Sequence, residues 1–332
     1  MKFIRIILFP IVPIYYVVTW FRNWLYDKGV KSSKNYNLPI ICVGNLSTGG
    51  TGKTPMIEYL IRLLKGQKSI ATLSRGYKRI TDGFVLADEN ATADTIGDEP
   101  YQFFKKFEDI KVTVDGNRQN GIEQLMALEE KPEVILLDDA YQHRKVNAGF
   151  SILLTAYHKP YYEDIVLPTG NLREPRFGSK RADIIVVTKC PKAISKAEKS
   201  AMSSKLKLKS YQQLFFSHIE YSEKVISKHN ALALSTLPKF TLVTGIANAT
   251  PLVNFLTNKG LEFDHLEYPD HYSFRPVDIE KLENKALIIT TEKDYVRLSN
   301  NEVFENSLYY LPIEMKIDNA EAFESTILSF VH

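Results

Sequence analysis

The chain has 332 residues, 44% hydrophobic and 24% charged, with 42 Lys/Arg against 39 Asp/Glu and a formal net charge of +3. That length predicts about two domains with room for a packed core. The composition excludes a disordered, collagen-like or polytopic membrane chain. Two cysteines, Cys42 and Cys190, exclude a disulfide framework and a Cys-based zinc site, and are read as buried thiols in a reducing compartment. The charge is uneven. Six Lys/Arg stand against one acid, Asp27, in residues 1–36, so that segment carries +5 and the rest of the chain −2. A globally basic nucleic-acid binder is not supported, and no nucleic-acid partner is expected.

The N-terminus comes first. Residues Ile6 to Phe21 form a sixteen-residue run without a charge, short of the ~17–20 that a spanning helix needs. Pro10 and Pro13 interrupt the run. A secretory signal would start similarly, but Trp20, Phe21, Arg22, Asn23 and Trp24 stand where small residues would mark cleavage. Tyr15, Tyr16, Trp20, Trp24 and Tyr26 suit a bilayer interface, and Arg22, Lys28, Lys31 and Lys34 suit anionic headgroups. Residues 1–30 are therefore expected to lie on a membrane surface as a monotopic anchor.

Next, Pro39-Ile-Ile-Cys-Val-Gly44 reads as a buried parallel strand. After it comes Ser47-Thr48-Gly49-Gly50-Thr51-Gly52-Lys53-Thr54, then a helical pattern to about Lys65. Strand, Gly-rich turn and helix are the context of a P-loop. In such a loop the backbone N–H groups and helix N-terminus cradle phosphates, so Lys53 is expected to reach the β/γ-phosphates and Thr54 to ligate Mg²⁺. Ser47 stands where the usual pattern has Gly. The Lys of partner-regulated P-loop ATPases is absent from that position.

Further strands are predicted at 69–73, 110–114, 134–137 and 152–154, with helices near 98–107 and 117–129. Alternating strands and helices argue for a doubly wound sheet. Val134-Ile-Leu-Leu-Asp138-Asp139 ends an apolar run on two carboxylates, the position for acids of the Mg²⁺ shell. Gly97-Asp98-Glu99-Pro100 is an acidic turn before a helix, with Asp98 either an N-cap or a proton acceptor. His143, Asp270-His271-Tyr272 and Ser74-Arg75-Gly76-Tyr77 are further candidates.

The segment from Pro160 to Lys180 is turn-rich. Within it, Arg173 is placed to reach a phosphate, with a surface ion pair to Glu174 as the alternative. A second strand set is expected from 183, with a Lys-rich solvated helix over 192–209, strands at 240–243 and 287–289, helices near 250–259 and 276–284, and a C-terminal helix over 319–330. Thr291-Glu-Lys-Asp294 matches the base-reading motif of GTPases only weakly.

Taken in order, these motifs resemble the tetraacyldisaccharide 4′-kinase (lipid A 4′-kinase) family. The resemblance rests on Val43 to Pro55, Leu73-Ser-Arg-Gly-Tyr77, Gly97-Asp-Glu-Pro100, Leu137-Asp-Asp-Ala-Tyr-Gln-His143, Pro168 to Pro175, Asp270-His-Tyr272 and Thr290 to Asp294. Ala140 departs from the family's usual Gly. The resemblance implies transfer of the ATP γ-phosphate to the 4′-hydroxyl of a tetraacyldisaccharide 1-phosphate lipid, on the cytoplasmic face of a Gram-negative inner membrane. ATP is the co-substrate and Mg²⁺ the cofactor, with no obligate protein partner.

The implied fold is α/β: a P-loop NTPase-type doubly wound parallel sheet plus a second, smaller Rossmann-like domain, with an N-terminal membrane-associated helix. The expected boundaries are an anchor over 1–30, a P-loop domain over 31–158, a β-ribbon linker over 159–182 and a second domain over 183–315. The last expected segment, 316–332, is a helix that returns to the first domain. Asp98 would be the base and His271 its dyad partner, with Lys53 the charge stabiliser. Thr54, Asp138, Asp139 and Glu174 would form the metal environment, and Arg173 would touch nucleotide. A membrane-recruited P-loop ATPase switch acting on a protein partner is the alternative.

Overall fold

The computed structural model of the chain describes Arg5 and residues 7–332. The first residues of the expected anchor, 1–4 and 6, lie outside the described residues. Helix α1 (Val12–Asp27) follows a 3₁₀ turn at Phe9–Ile11. Pro13 sits in the first turn of α1, where its missing N–H costs nothing, so the proline starts the helix instead of interrupting it. No helix among the described residues is long and apolar enough to cross a membrane.

The chain then runs β1 (Ile40–Asn45), α2 (Lys53–Leu64), β2 (Ile70–Ser74), β3 (Val85–Leu86), α3 (Ala93–Ile96), α4 (Asp98–Lys106), β4 (Ile110–Val114), α5 (Arg118–Ala127), β5 (Val134–Asp138), β6 (Phe150–Ala156), β7 (Ile184–Thr188), α6 (Lys196–Leu206) and β8 (Gln213–Tyr221). A second run holds β9 (Lys224–Ile226), β10 (Ala231–Ala233), β11 (Phe240–Thr244), α7 (Thr250–Asn258), β12 (Phe263–Glu267), α8 (Pro276–Glu283), β13 (Ile288–Thr290), α9 (Glu292–Leu298) and β14 (Leu308–Tyr310). The chain ends with β15 (Ile313–Ile317) and α10 (Ala320–Val331).

Two sheets result. The large one has the order β15-β8-β7-β6-β1-β5-β2-β4-β3, and the smaller one β10-β9-β14-β13-β11-β12. From β4 through β8 the large sheet is parallel. Its strands are apolar on both faces, as a sheet covered on both sides must be. Along β1, Ile41 and Val43 face a core shared with Met56, Ile57 and Leu60 of α2 and Phe323 and Ile327 of α10. Ile40 and Cys42 face the other core, with Ile122 and Leu125 of α5 and Met202 of α6. The smaller sheet packs its own cores around Leu242, Leu256 and Ile289 on one face and Val243, Leu282 and Phe304 on the other.

This arrangement corrects the expected boundaries. Strand β7, expected to open the second domain, and the unpredicted strands β8 and β15, which fall wholly or mostly within the range expected for that domain, are hydrogen-bonded members of the large sheet. The second lobe therefore begins at β9. The chain crosses between lobes twice, after β8 and before β15, and those two strands pair antiparallel. They form the ribbon that was expected at residues 159–182. That segment instead holds two short 3₁₀ turns and lies against the P-loop. The misplacement has a simple cause: β8 and β15 meet only after the whole second lobe has been threaded between them, and strand pairing of that range leaves no local pattern.

The C-terminal helix packs onto the large sheet. Phe323 is fully buried, edge-on to Phe215 of β8 and to Tyr59 of α2. Phe323→Ala should cost ~3–5 kcal/mol, read as a lower midpoint in urea unfolding. A loss below ~1 kcal/mol would show that α10 is not part of this core.

Candidate active site

Open α/β sheets bind ligands beyond the carboxyl ends of their strands, and the predicted motifs collect there. The loop after β1 carries Ser47 to Gly52 into α2, which begins at Lys53 and Thr54. Gly52 precedes the helix at φ +87°, a left-handed conformation that a side chain would strain. Neighbouring strand ends brace the loop. Asn45 Nδ2 donates to Thr51 Oγ1 at 2.8 Å, and Thr188 Oγ1 at the end of β7 donates to the Thr51 carbonyl at 2.7 Å. On the other side, Ser47 bridges Leu172, the Thr48 N–H donates to the Asn171 carbonyl at 2.7 Å and the Arg173 N–H donates to the Leu46 carbonyl at 2.7 Å. The turn-rich segment is thus laid antiparallel along the P-loop, and that is how Arg173 reaches the site.

The two acids after β5 take different positions. Asp139, at φ +48°, faces Lys53 Nζ at 3.7 Å and accepts two of the guanidinium hydrogen bonds of Arg173, at 3.0 and 3.1 Å. Burial alone would raise its pKa, but Lys53 and Arg173 outweigh burial and hold it below the usual carboxylate value. Asp138 is buried. One oxygen accepts from Ser74 Oγ at 3.3 Å, and the other, Oδ1, has no partner. Burial and then the neighbouring Asp139 push Asp138 up to about 7. An orphaned carboxylate oxygen beside the P-loop suits a hard divalent cation that also takes oxygens from Thr54 and from phosphates.

Two expectations are corrected here. Glu174 does not face the P-loop. Its carboxylate accepts from Arg181 at 2.7 and 3.0 Å, from Asn23 of α1 at 2.6 Å and from Gln142 at 3.0 Å. Four donors leave it no room for a metal, and it serves to tie α1 to the loop that carries Arg173. Nor does Glu174 pair with its neighbour Arg173. Among the described residues, no group of three or more His, Cys, Asp and Glu side chains is arranged to hold a metal, so any Mg²⁺ would rest largely on nucleotide oxygens.

The second half of the site is assembled from both lobes. Asp98 opens α4, and His271, at φ +57° in the loop after β12, brings Nδ1 to 3.1 Å from Asp98 Oδ2. Gly97 turns the chain into α4 at φ +93°, and an added Cβ would lie 3.2 Å from both the Gly76 Cα and the Tyr77 carbonyl oxygen. The Ser74-Arg-Gly-Tyr77 loop is thereby pressed against the dyad, and the Tyr77 ring meets the His271 ring edge-on at 5.8 Å. Arg297 of α9 donates Nε to Asp98 Oδ1 at 2.8 Å and Nη2 to Oδ2. Lys293 Nζ lies 3.0 Å from His271 Nε2 and 2.9 Å from Asp270. Burial would raise the Asp98 pKa, but hydrogen bonds from His271 and Arg297 bring it down to about 2.

Sequence reading missed three cations. Lys189 follows β7 and donates to the Gly50 carbonyl at 2.7 Å, and burial and then the adjacent Lys53 lower its pKa. It ends an apolar strand just as Asp138 does, a signal lost when β7 was placed in another domain. Lys293 and Arg297 lie at and just beyond Thr291-Glu-Lys-Asp294. The remainder of that segment is structural: Asp294 accepts from the Gly245 N–H at 2.8 Å and from Thr291 Oγ1 at 2.7 Å. His143, another candidate, is half-buried, and burial and then Arg118 lower it to about 4.

Comparison with known proteins decides the family. Residues 4–332 match the family model for the tetraacyldisaccharide-1-P 4′-kinase. The chain belongs to the tetraacyldisaccharide 4′-kinase family. It is 51% identical over 337 residues to the tetraacyldisaccharide 4′-kinase of Flavobacterium johnsoniae, covering 100% of this chain and 98% of that one. The corresponding enzyme of Bacteroides thetaiotaomicron is 43% identical, over 98% of this chain and 92% of the relative. Among solved structures, the "apo" form of LpxK from Aquifex aeolicus in complex with ATP superposes with a TM-score of 0.80 at 31% identity, covering 99% of this chain and 100% of that one. Members of this family are ATP-dependent kinases that phosphorylate the lipid A precursor at the 4′ position, so the chain is a kinase and not an ATPase switch.

The buried Asp138 generates a prediction. Its raised pKa means that the folded state holds the proton better than the unfolded chain. The stability present below the ordinary value of 3.8 is then lost as pH rises through about 7. Asp138→Asn should therefore make the metal-free protein more resistant to thermal unfolding than wild type at pH 8, with a smaller advantage at pH 5. Equal melting temperatures at both pH values would contradict the assigned burial.

Proposed function

We propose that this kinase transfers the ATP γ-phosphate to the 4′-hydroxyl of a tetraacyldisaccharide 1-phosphate lipid by direct in-line displacement. The 4′ oxygen bonds to the γ-phosphorus, the bond to the β,γ-bridging oxygen breaks, and ADP leaves. The observation that carries this reading is the Asp98–His271 pair, assembled from both lobes beside the P-loop. Asp98 Oδ1 accepts one hydrogen bond from Arg297, which leaves it free to take one from the acceptor hydroxyl. The proton passes to the dyad as the new bond forms.

Lys53 and the P-loop N–H groups neutralise the phosphates, and phosphoryl transfer depends mainly on such positioning and charge balance. Arg173 and Lys189 stand at the same loop as further phosphate ligands. Mg²⁺, held by Asp138, Thr54 and the nucleotide, would supply additional charge neutralisation. Asp139 orients Lys53 and Arg173 instead of binding the metal.

The lipid substrate requires a membrane surface, and α1 fits one. Ile14, Val17, Val18 and Phe21 follow helical spacing along one exposed apolar face, with Trp20 and Trp24 beside it. Lys28 and Lys31 remain exposed at its end, whereas Arg22 is turned inward onto the Gln142 carbonyl and Lys34, also exposed, pairs with Glu123. The opposite face of α1 is held to the site through Asn23–Glu174 and through Tyr15, which donates to the Arg173 carbonyl at 3.0 Å. We place the protein peripherally on the cytoplasmic face of the inner membrane, where ATP is available.

The test is transfer of label from γ-labelled ATP to the lipid in detergent micelles. Wild type should yield labelled lipid, and Asp98→Ala should lower turnover by ~10²–10⁴ with ATP binding retained. Unlabelled lipid with wild-type enzyme would reject the reading. For the membrane face, replacing Val17, Trp20 and Phe21 by Glu should move the protein from vesicle pellets to the supernatant. Continued co-sedimentation would assign membrane affinity to another surface.

A further inference from the structure

We infer that Arg297 is a positioning residue of the reaction: its guanidinium, delivered from the second lobe, fixes the Asp98 carboxylate in the orientation that receives the acceptor hydroxyl. The inference rests on the reading of Asp98 as proton acceptor. Arg297 lies on α9 and Asp98 on α4, so the contact exists only while the lobes are together. Three of its donors are engaged: Nε on Asp98 Oδ1 at 2.8 Å, Nη2 on Oδ2, and Nη1 on the Tyr272 carbonyl at 2.8 Å. The last bond ties Arg297 to the residue after His271. One side chain thus sets both members of the dyad relative to each other, with the planar fork that lysine lacks.

Both partners are nearly shielded from water, at 12% and 13% side-chain exposure for Arg297 and Asp98. Removing one would strand the other's charge. Lone-pair counting gives the orientation. Oδ2 takes Arg297 Nη2 and His271 Nδ1, Oδ1 takes Arg297 Nε, and a single acceptor direction on Oδ1 remains.

The charged groups around Asp98 predict the effect of removal. Glu99 stands beside it on α4, Asp270 and His271 come from the loop after β12, and Lys293 and Asp294 come from α9 with Arg297. Without the guanidinium, burial acts against a single imidazole, and the carboxylate becomes easier to protonate.

The experiment is the pH dependence of kcat/KM for lipid phosphorylation by the full chain in mixed micelles, comparing wild type, Arg297→Ala, Arg297→Lys and Asp98→Asn. Arg297→Ala should bind ATP as wild type does, lose ~10²-fold in kcat as a misplaced group does, and show its acid limb displaced to higher pH. Arg297→Lys should keep the acid limb near that of wild type and still lose kcat, because charge is restored without the fork. A wild-type kcat in either variant overturns the inference. So does a lowered kcat in Arg297→Ala with an unmoved acid limb, the behaviour of a merely structural contact. Should Arg297→Ala fail to bind ATP, the kcat of Arg297→Lys decides. Asp98→Asn separates the two levels: full activity there would refute the proton-acceptor reading itself.

Discussion

Helix α4 lies against α9, and the two ends of that contact carry different chemistry. At the N-terminal end of α4, Asp98 meets Arg297 and His271. Toward its C-terminus, Gln102 and Lys106 join Glu58 of α2 to Glu292 of α9, with separations of 2.7 to 2.9 Å. Between them, Val296 of α9 enters the apolar core of the large sheet. The lobes are therefore joined by one apolar plug between two polar clusters. Burial and then Glu58 raise Glu292 to about 7, so this second cluster relies on Lys106 and Gln102 to stay satisfied. Since Glu58 belongs to the helix that begins at Lys53, the P-loop and the dyad are built on elements that share this contact.

The charge distribution follows from that assembly. Lys53, Arg173 and Lys189 converge on the P-loop against Asp138 and Asp139. A site that receives ATP must hold its cations in place, and the two acids do so unequally. Asp139 pairs with Lys53 and Arg173, while Asp138 is buried with one oxygen unpartnered. In the other lobe, Lys293 and Arg297 play the corresponding part around His271 and Asp98. Helix α1 joins this balance through Asn23 on Glu174, which couples the proposed membrane-facing element to the loop bearing Arg173.

What the sequence made legible was local. The P-loop, the acid pair after β5, the strand and helix alternation and the Asp98 and His271 candidates all declare themselves within short windows. Strand-to-helix turns, apolar runs ending in acids and proline boundaries are local consequences of backbone sterics and burial. Long-range pairing was not legible. Strands β8 and β15 carry no mark that they belong to the first sheet, so Lys189 was assigned to the wrong lobe. The family resemblance implied a metal role for Glu174, and nothing local argued against it, because its partners Arg181 and Asn23 come together only in three dimensions. Arg297 sat on a helix whose first turn drew attention for an unrelated motif, and its role depends on a residue in the other lobe.

The central claim is that Asp98 and His271 act as one unit held across the lobe contact. A double-mutant cycle on turnover tests it most directly, with Asp98→Asn, His271→Ala and the double variant assayed against the same lipid. Residues that act as a unit are strongly non-additive. The account predicts that the double variant is no slower than the slower single variant, within about threefold. Losses that multiply would contradict it, because they would mean that the two residues contribute independently.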